Sequence, residues 1–68
     1  MRVLVNGDPR ELPERSTVAD VVAASGAAPD GRGVAVAIEG EVVPRGAWDA
    51  TPVEPDLRVE VLHAVQGG

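Results

Sequence analysis

The group best suited to chemistry in this sequence is the terminal carboxylate, which follows two glycines, Gly67 and Gly68. A terminal carboxylate is ionised at neutral pH. Because the anion is a poor electrophile, a partner must activate it, for instance as an acyl-adenylate made with ATP. Glycine has no Cβ, so its backbone can pass through a channel too narrow for other residues. Residues 65–68 span at most about 13 Å when extended, which would carry the carboxylate into a partner's cleft. A frayed, inert end is the alternative interpretation.

Other kinds of reactive site are largely excluded by composition. The 68 residues include no cysteine, no lysine, one histidine and one aromatic residue, Trp48. Without cysteine there is no disulfide framework, thiolate nucleophile or cysteine zinc site. The single histidine, His63, is expected on the core side of a strand, where packing is a commoner role than catalysis. The carboxylates lack the spacing of a calcium-binding loop, and we expect no metal site.

The charge balance bears on the class of partner. Six basic against eleven acidic residues give a formal net charge of -5, which opposes binding to a nucleic-acid backbone. No apolar run approaches the roughly 20 residues that span a bilayer, and the first residues are too few for a signal-peptide core. We therefore expect no nucleic-acid or membrane partner and a cytoplasmic location.

The apolar residues indicate a folded domain built on a sheet. They make up 44% of the chain, and charged residues 25%, close to the average for globular proteins. Most of them are valine and alanine, and β-branched residues suit strands. The length allows one small domain, whose core is near the lower limit for folding without disulfides or metals.

A hairpin is predicted at the start of the chain. Residues 2–6 alternate in the period-2 pattern of a strand. Residues 6–9, Asn-Gly-Asp-Pro, are typical of a turn. A short second strand over about residues 10–12 would complete the hairpin before Pro13.

A helix is predicted to follow. Thr17 and Asp20 have the spacing of a capping box, and Gly26 stands where a helix commonly ends. Apolar residues recur between them with helical periodicity, so that one face would be buried. That face consists of Val18, Val21, Val22 and Ser25.

The second half of the chain is predicted to contain three more strands. Residues 27–33 have the composition of a loop, and residues 34–39 and 42–43 would pair as strands, with Pro44 ending the second or placing it at an edge. Residues 45–55 indicate irregular structure with one 3₁₀ turn, and Trp48 there is expected to pack in the core. The longest strand is predicted over residues 57–65.

This order of elements predicts an α+β fold of the β-grasp type. It has one mixed sheet of four to five strands and one helix packed on a single face. We expect residues 1–64 to form that domain and residues 65–68 to be a flexible tail.

The last predicted strand also suggests a docking contact. Arg58 and Glu60 mark its solvent face, and continued alternation places Leu62 and Ala64 on the same face, beside the tail. An apolar side chain on a polar face next to a reactive end is a candidate partner contact, although single exposed leucines are common. The predicted partner-binding residues are Leu62, Ala64, Val65, Gln66 and Gly67.

Several short motifs resemble those of the ThiS family, the ubiquitin-like sulfur carriers of thiamin biosynthesis, over essentially the whole chain. They are Val-Leu-Val-Asn at 3–6, Thr-Val at 17–18, Val-Ala-Val-Ala at 34–37, Glu-Val-Val-Pro-Arg at 41–45 with Trp48 three residues on, and the final Ala-Val-Gln-Gly-Gly. The Val-Pro-Arg-x-x-Trp segment is the most discriminating of these. Glu39-Gly40 departs from the Asn-Gly of many members.

The resemblance implies a mechanism carried out by partners. An E1-like adenylating enzyme would use ATP and magnesium to adenylate the Gly68 carboxylate. Sulfur from a donor such as a cysteine desulfurase would then give a Gly68 thiocarboxylate, which thiazole synthase would consume. The protein would be a co-substrate, binding no cofactor of its own, and we expect it to be monomeric when free.

Three alternatives stay open on the sequence. A related carrier could deliver sulfur to molybdopterin or to an amino acid. A ubiquitin-like modifier could instead be conjugated to lysines of target proteins. A binding module with an inert tail would need no chemistry at the terminus.

Overall fold

The chain folds as a five-stranded sheet with a helix packed across one face. The computed structural model describes residues 1–26 and 33–63. In chain order its elements are β1 (Arg2–Val5), β2 (Asp8–Glu11), helix α1 (Val18–Ala24), β3 (Val34–Ile38), β4 (Glu41–Val43), a 3₁₀ helix (Arg45–Ala50) and β5 (Arg58–His63). The predicted α+β arrangement is confirmed. Most of the loop predicted at 27–33 lies outside the described residues.

The last strand occupies the centre of the sheet. The spatial order is β2-β1-β5-β3-β4. β5 runs parallel to β1, with Leu4 opposite Arg58, and antiparallel to β3, with Ala35 opposite Leu62. The two hairpins, β1–β2 and β3–β4, therefore flank the C-terminal strand on either side.

The first hairpin corrects the predicted boundaries. The turn consists of Asn6 and Gly7, both at positive φ (52° and 84°), and β2 begins at Asp8. Pro9, predicted to lie in the turn, pairs with Leu4 inside the strand. Proline is tolerated there because β2 lies at the edge of the sheet, where a residue without an N–H need break no ladder bond. The predicted strand at residues 10–12 was therefore placed too late.

The helix begins and ends as predicted. Asp20 Oδ2 accepts hydrogen bonds from the backbone N of Thr17 at 2.8 Å and from its hydroxyl at 3.2 Å. Gly26 follows the helix at φ +84°, a conformation that costs glycine little. The valines of the predicted apolar face, Val18, Val21 and Val22, are all buried.

The core lies between α1 and the sheet and consists mainly of valine. Among the described residues, its buried cluster consists of nine valines, Leu12 and Trp48. The Trp48 indole is buried, and its Nε1 donates to the backbone oxygen of Val43 at 3.0 Å. The predicted structural role of Trp48 is confirmed, and it comes from the predicted 3₁₀ segment, which contacts α1.

Strand β5 is shorter than predicted within the described residues. It begins at Arg58 rather than at residue 57, and Val59 and Val61 are buried whereas Glu60 and Leu62 are exposed. His63 is also exposed, so its expected orientation toward the core side does not bury it. The residue opposite it on β3 is Val34, which is itself only half-buried, so the strand extends past the densely packed part of the core.

No helix in the described ranges has the length and apolar character needed to cross a membrane.

Candidate functional site

The candidate site lies where β5 leads into the end of the chain. Leu62 is the one predicted partner-binding residue that the structure describes. Ala64, Val65, Gln66, Gly67 and Gly68 lie outside the described residues, as does the predicted boundary between residues 64 and 65. Their roles stay predictions.

Leu62 lies on the sheet face turned away from α1. Its side chain is 62% exposed, whereas the adjacent Val61 is 2% exposed. Successive side chains of a strand point to opposite faces, so the burial of Val61 against the helix fixes Leu62 on the other face. The predicted solvent orientation of Leu62 is confirmed.

Strands β3 and β4 extend this exposed apolar surface. Leu62 lies opposite Ala35, and in the next row Ala37 lies opposite Val42. Val42 is 76% exposed. Directly opposed residues of neighbouring strands share a face, so these four side chains form one surface, which we call the open-face strip.

Charged residues border the strip toward the start of β5. Glu60, opposite Ala37, and Arg58 are both exposed. Glu39 approaches from the β3–β4 turn, where its Oε2 accepts a hydrogen bond from the backbone N of Arg58 at 3.0 Å. A shallow depression in this region is lined by charges of both signs, from Glu39, Glu60 and Arg58.

The end of β5 is held from the other side by the side chain of Asn6. Its Oδ1 accepts from the backbone N of Val61 at 2.8 Å, and its Nδ2 donates to the backbone oxygen of Val61 at 3.1 Å. Its own backbone N donates to the oxygen of Val59 at 2.9 Å. The sequence analysis assigned Asn6 only to a turn, because nothing in the sequence shows which strand lies beside that turn.

The described part of the site contains no constellation for catalysis or metal binding. Across residues 1–26 and 33–63, no three side chains among His, Asp and Glu are grouped so that they could hold a metal ion. His63 is exposed at the strand end. What these residues can do is present an apolar surface to a partner directly beside the segment that continues to Gly68.

Comparison with known proteins gives one consistent result. The model of the ThiS family matches residues 3–68. Among solved structures, the crystal structure of a thiamine biosynthesis protein (ThiS) from Geobacter metallireducens is 36% identical, covers 100% of both chains and has a TM-score of 0.79. The solution structure of a thiamine biosynthesis protein from the same organism is also 36% identical, covers 100% of this chain and 88% of that one, and has a TM-score of 0.81. No curated protein matches significantly. The structural likeness confirms the predicted β-grasp fold.

Proposed function

Since this chain belongs to the ThiS family over residues 3–68, we propose that it carries sulfur for thiamin biosynthesis as a protein co-substrate. The observation that carries the proposal is the family match, which extends through Gly68. It includes the segment whose carboxylate is the proposed reactive group.

The proposed chemistry takes place at the Gly68 carboxylate inside an E1-like adenylating enzyme. A carboxylate oxygen attacks the α-phosphorus of ATP, which the enzyme binds with Mg²⁺, and pyrophosphate leaves. The acyl carbon of the adenylate is now electrophilic. The terminal sulfur of a persulfide attacks it and AMP leaves; a thiol then cleaves the sulfur–sulfur bond and releases the thiocarboxylate.

The composition of the chain supports a carrier of this kind. With no cysteine in the sequence, no side-chain thiol can carry the sulfur, and the terminus remains as the attachment point. With no lysine, no side-chain amine of the carrier competes for its own activated terminus. Thiazole synthase is the proposed acceptor, and a cysteine desulfurase the proposed source of sulfur. We propose that the reaction takes place in the cytoplasm, because the adenylation step consumes ATP.

Docking of the adenylating enzyme is proposed at Leu62. The five residues from 64 to 68 span at most about 18 Å, so an enzyme whose active site holds Gly68 must contact the body near the end of β5. Leu62 is 62% exposed there, and the predicted contacts of residues 64–67 would continue from it into the active site. Burying its side chain against the enzyme would be favourable and would leave the core of the carrier unchanged.

The direct test is the intact mass of the protein after incubation with the adenylating enzyme, ATP, Mg²⁺, a cysteine desulfurase and cysteine. We expect replacement of one oxygen by one sulfur, and fragmentation should place that sulfur at Gly68. The matched control is a chain lacking Gly68, which should show the Trp48 fluorescence of the folded protein yet acquire no sulfur.

Two results would contradict the proposal. Sulfur incorporation by the chain lacking Gly68 would mean that the reactive group lies elsewhere. An isopeptide adduct with lysines of other proteins in cell extract, without a thiocarboxylate, would instead indicate a protein modifier.

A further inference from the structure

We infer that Asn6 is a positioning residue for the reaction at Gly68, because its carboxamide holds the end of the strand from which the C-terminal segment continues. The inference rests on the proposed function and adds to it a residue distant in sequence from the tail. Asn6 lies in the β1–β2 turn, on the other side of β5 from the strands that carry the rest of the open-face strip.

The first step of the argument is that β1 stops short of β5. The parallel register runs from Leu4 opposite Arg58 to Val5 opposite Val59. The chain then turns at Asn6 and Gly7, while β5 continues to His63. The backbone of β1 therefore cannot supply ladder partners to Val61.

The Asn6 side chain takes the place of the missing ladder. A carboxamide offers one oxygen acceptor and an N–H donor, as a peptide group does. Both are used on the same residue, with Val61 N to Oδ1 at 2.8 Å and Nδ2 to Val61 O at 3.1 Å. The Asn6 side chain thus extends the pairing of β5 by two residues beyond Val59.

Asparagine suits this position for a second reason. Asn6 has φ +52°, in the left-handed region that asparagine enters more readily than most other L-residues. Aspartate tolerates the same backbone but is acceptor-only when ionised. Its second oxygen would face the carbonyl oxygen of Val61, so the ladder could not be reproduced.

The two hydrogen bonds between Asn6 and Val61 matter because Val61 directly precedes Leu62. If Val61 loses its partners on the β1 side, the strand end can fray, and the orientation of Leu62 and the starting point of residues 64–68 are no longer fixed. The partner must then order additional residues on binding. Ordering even one residue lowers the binding constant several-fold. We therefore expect KM for the carrier to rise about threefold to tenfold. Once the complex has formed, kcat should change less than twofold.

Glu39 provides a matched control at the opposite end of the same strand. It also occupies the first position of a two-residue hairpin turn, at φ +49°, and its side chain also accepts from the β5 backbone, at the N–H of Arg58. Glu39→Gly therefore removes one side-chain bond to β5 and Asn6→Gly removes two, while both keep the positive φ easy to adopt. Only Asn6→Gly acts next to Leu62.

The experiment combines two readouts on the full chain. Amide hydrogen exchange by NMR should accelerate at Val61 and Leu62 in Asn6→Gly, and at Arg58 in Glu39→Gly. ATP–pyrophosphate exchange by the adenylating enzyme, measured against carrier concentration, should show the increase in KM for Asn6→Gly but not for Glu39→Gly. Asn6→Asp should resemble Asn6→Gly in both readouts.

The outcomes separate this inference from the proposed function. Suppose that wild-type protein supports pyrophosphate exchange. If the two glycine variants then change KM equally, or if Asn6→Gly leaves amide hydrogen exchange at Val61 unchanged, the positioning role is wrong and the proposed function stands. A decrease in kcat at unchanged KM for Asn6→Gly would also overturn it. If wild-type protein supports no pyrophosphate exchange, the proposed function fails and the inference fails with it.

Discussion

Val61 and Leu62 are neighbours in β5 with contrasting surroundings. Val61 contributes to the buried cluster between the sheet and α1, whereas Leu62 is mostly exposed opposite Ala35. Removing apolar area from water is favourable in proportion to the area buried. Val61 therefore stabilises the fold, while the apolar area of Leu62 remains available to a partner.

This contrast gives a paired prediction. Leu62→Glu should change the free energy of unfolding by less than about 0.5 kcal/mol and weaken binding to the adenylating enzyme, because a charge would replace the apolar contact. Val61→Ala should cost about 2 kcal/mol. Urea denaturation followed by Trp48 fluorescence, together with titration calorimetry of the complex, measures both effects. A large loss of stability in Leu62→Glu would show that Leu62 packs in the core.

Trp48 is the largest side chain in a core composed mainly of valines. Its indole is buried, and its Nε1 satisfies the backbone oxygen of Val43, the last residue of β4. We expect Trp48→Phe to lower the free energy of unfolding by about 1–3 kcal/mol, because the smaller ring leaves a cavity and the oxygen loses its donor. Urea denaturation followed by circular dichroism is the measurement, since the substitution removes the only tryptophan. A loss below about 0.5 kcal/mol, the range of ordinary surface substitutions, would contradict this role.

At the scale of single residues, the sequence predicts exposure better than contact. Period-2 alternation around Val59 and Val61 correctly placed Leu62 on the solvent face. It could not reveal the bonds from Asn6 to Val61, which depend on the order of strands in the sheet. Val42 was missed as an exposed residue because a strand of three residues, Glu41–Val43, is too short for alternation to show which valine faces outward.

Among the elements, the β3–β4 hairpin depends on an unusual turn. Glu39 and Gly40 both have positive φ, 49° and 87°, which matches the two-residue turns favoured between twisted strands. Glycine adopts this backbone readily, whereas glutamate does not. The bond from Arg58 N to Glu39 Oε2 partly offsets that cost.

The turn leads to a prediction with an internal control. Gly40→Ala should destabilise the protein by about 1–2 kcal/mol, because alanine would be forced to φ +87°. Gly46, in the 3₁₀ helix, has equally open space around an added Cβ but no positive φ. Gly46→Ala should therefore change stability by less than about 0.5 kcal/mol. Equal urea midpoints for the two variants would contradict this account.

Element boundaries were predictable where a local interaction sets them. The Thr17–Asp20 cap and Gly26 define the ends of α1, and each involves residues close in sequence. The start of β2 was not predictable in this way, because Pro9 is compatible with a strand only at an edge. The sequence does not show where the edges are until the strands have been arranged.

For the whole molecule, the contacts described between α1, the sheet and Trp48 belong to a single buried cluster. We expect unfolding to be two-state, as for most domains of this size, so that Trp48 fluorescence and far-ultraviolet circular dichroism give the same midpoint in urea. Separate transitions would mean that the region around the 3₁₀ helix unfolds independently of the sheet. Leu62→Glu, measured in parallel, should show the same coincidence because it leaves the core intact.

The position of β5 has a consequence for how the protein folds. The strand closest to the end of the sequence lies between β1 and β3 and pairs with residues from the start of the chain. Such non-local pairing is associated with slower folding than local contacts allow. Until β5 inserts, each hairpin keeps an unpaired edge of the kind that promotes association between chains. The strand that bears Leu62, the proposed docking residue, is therefore also the one whose arrival shields the folding chain from aggregation.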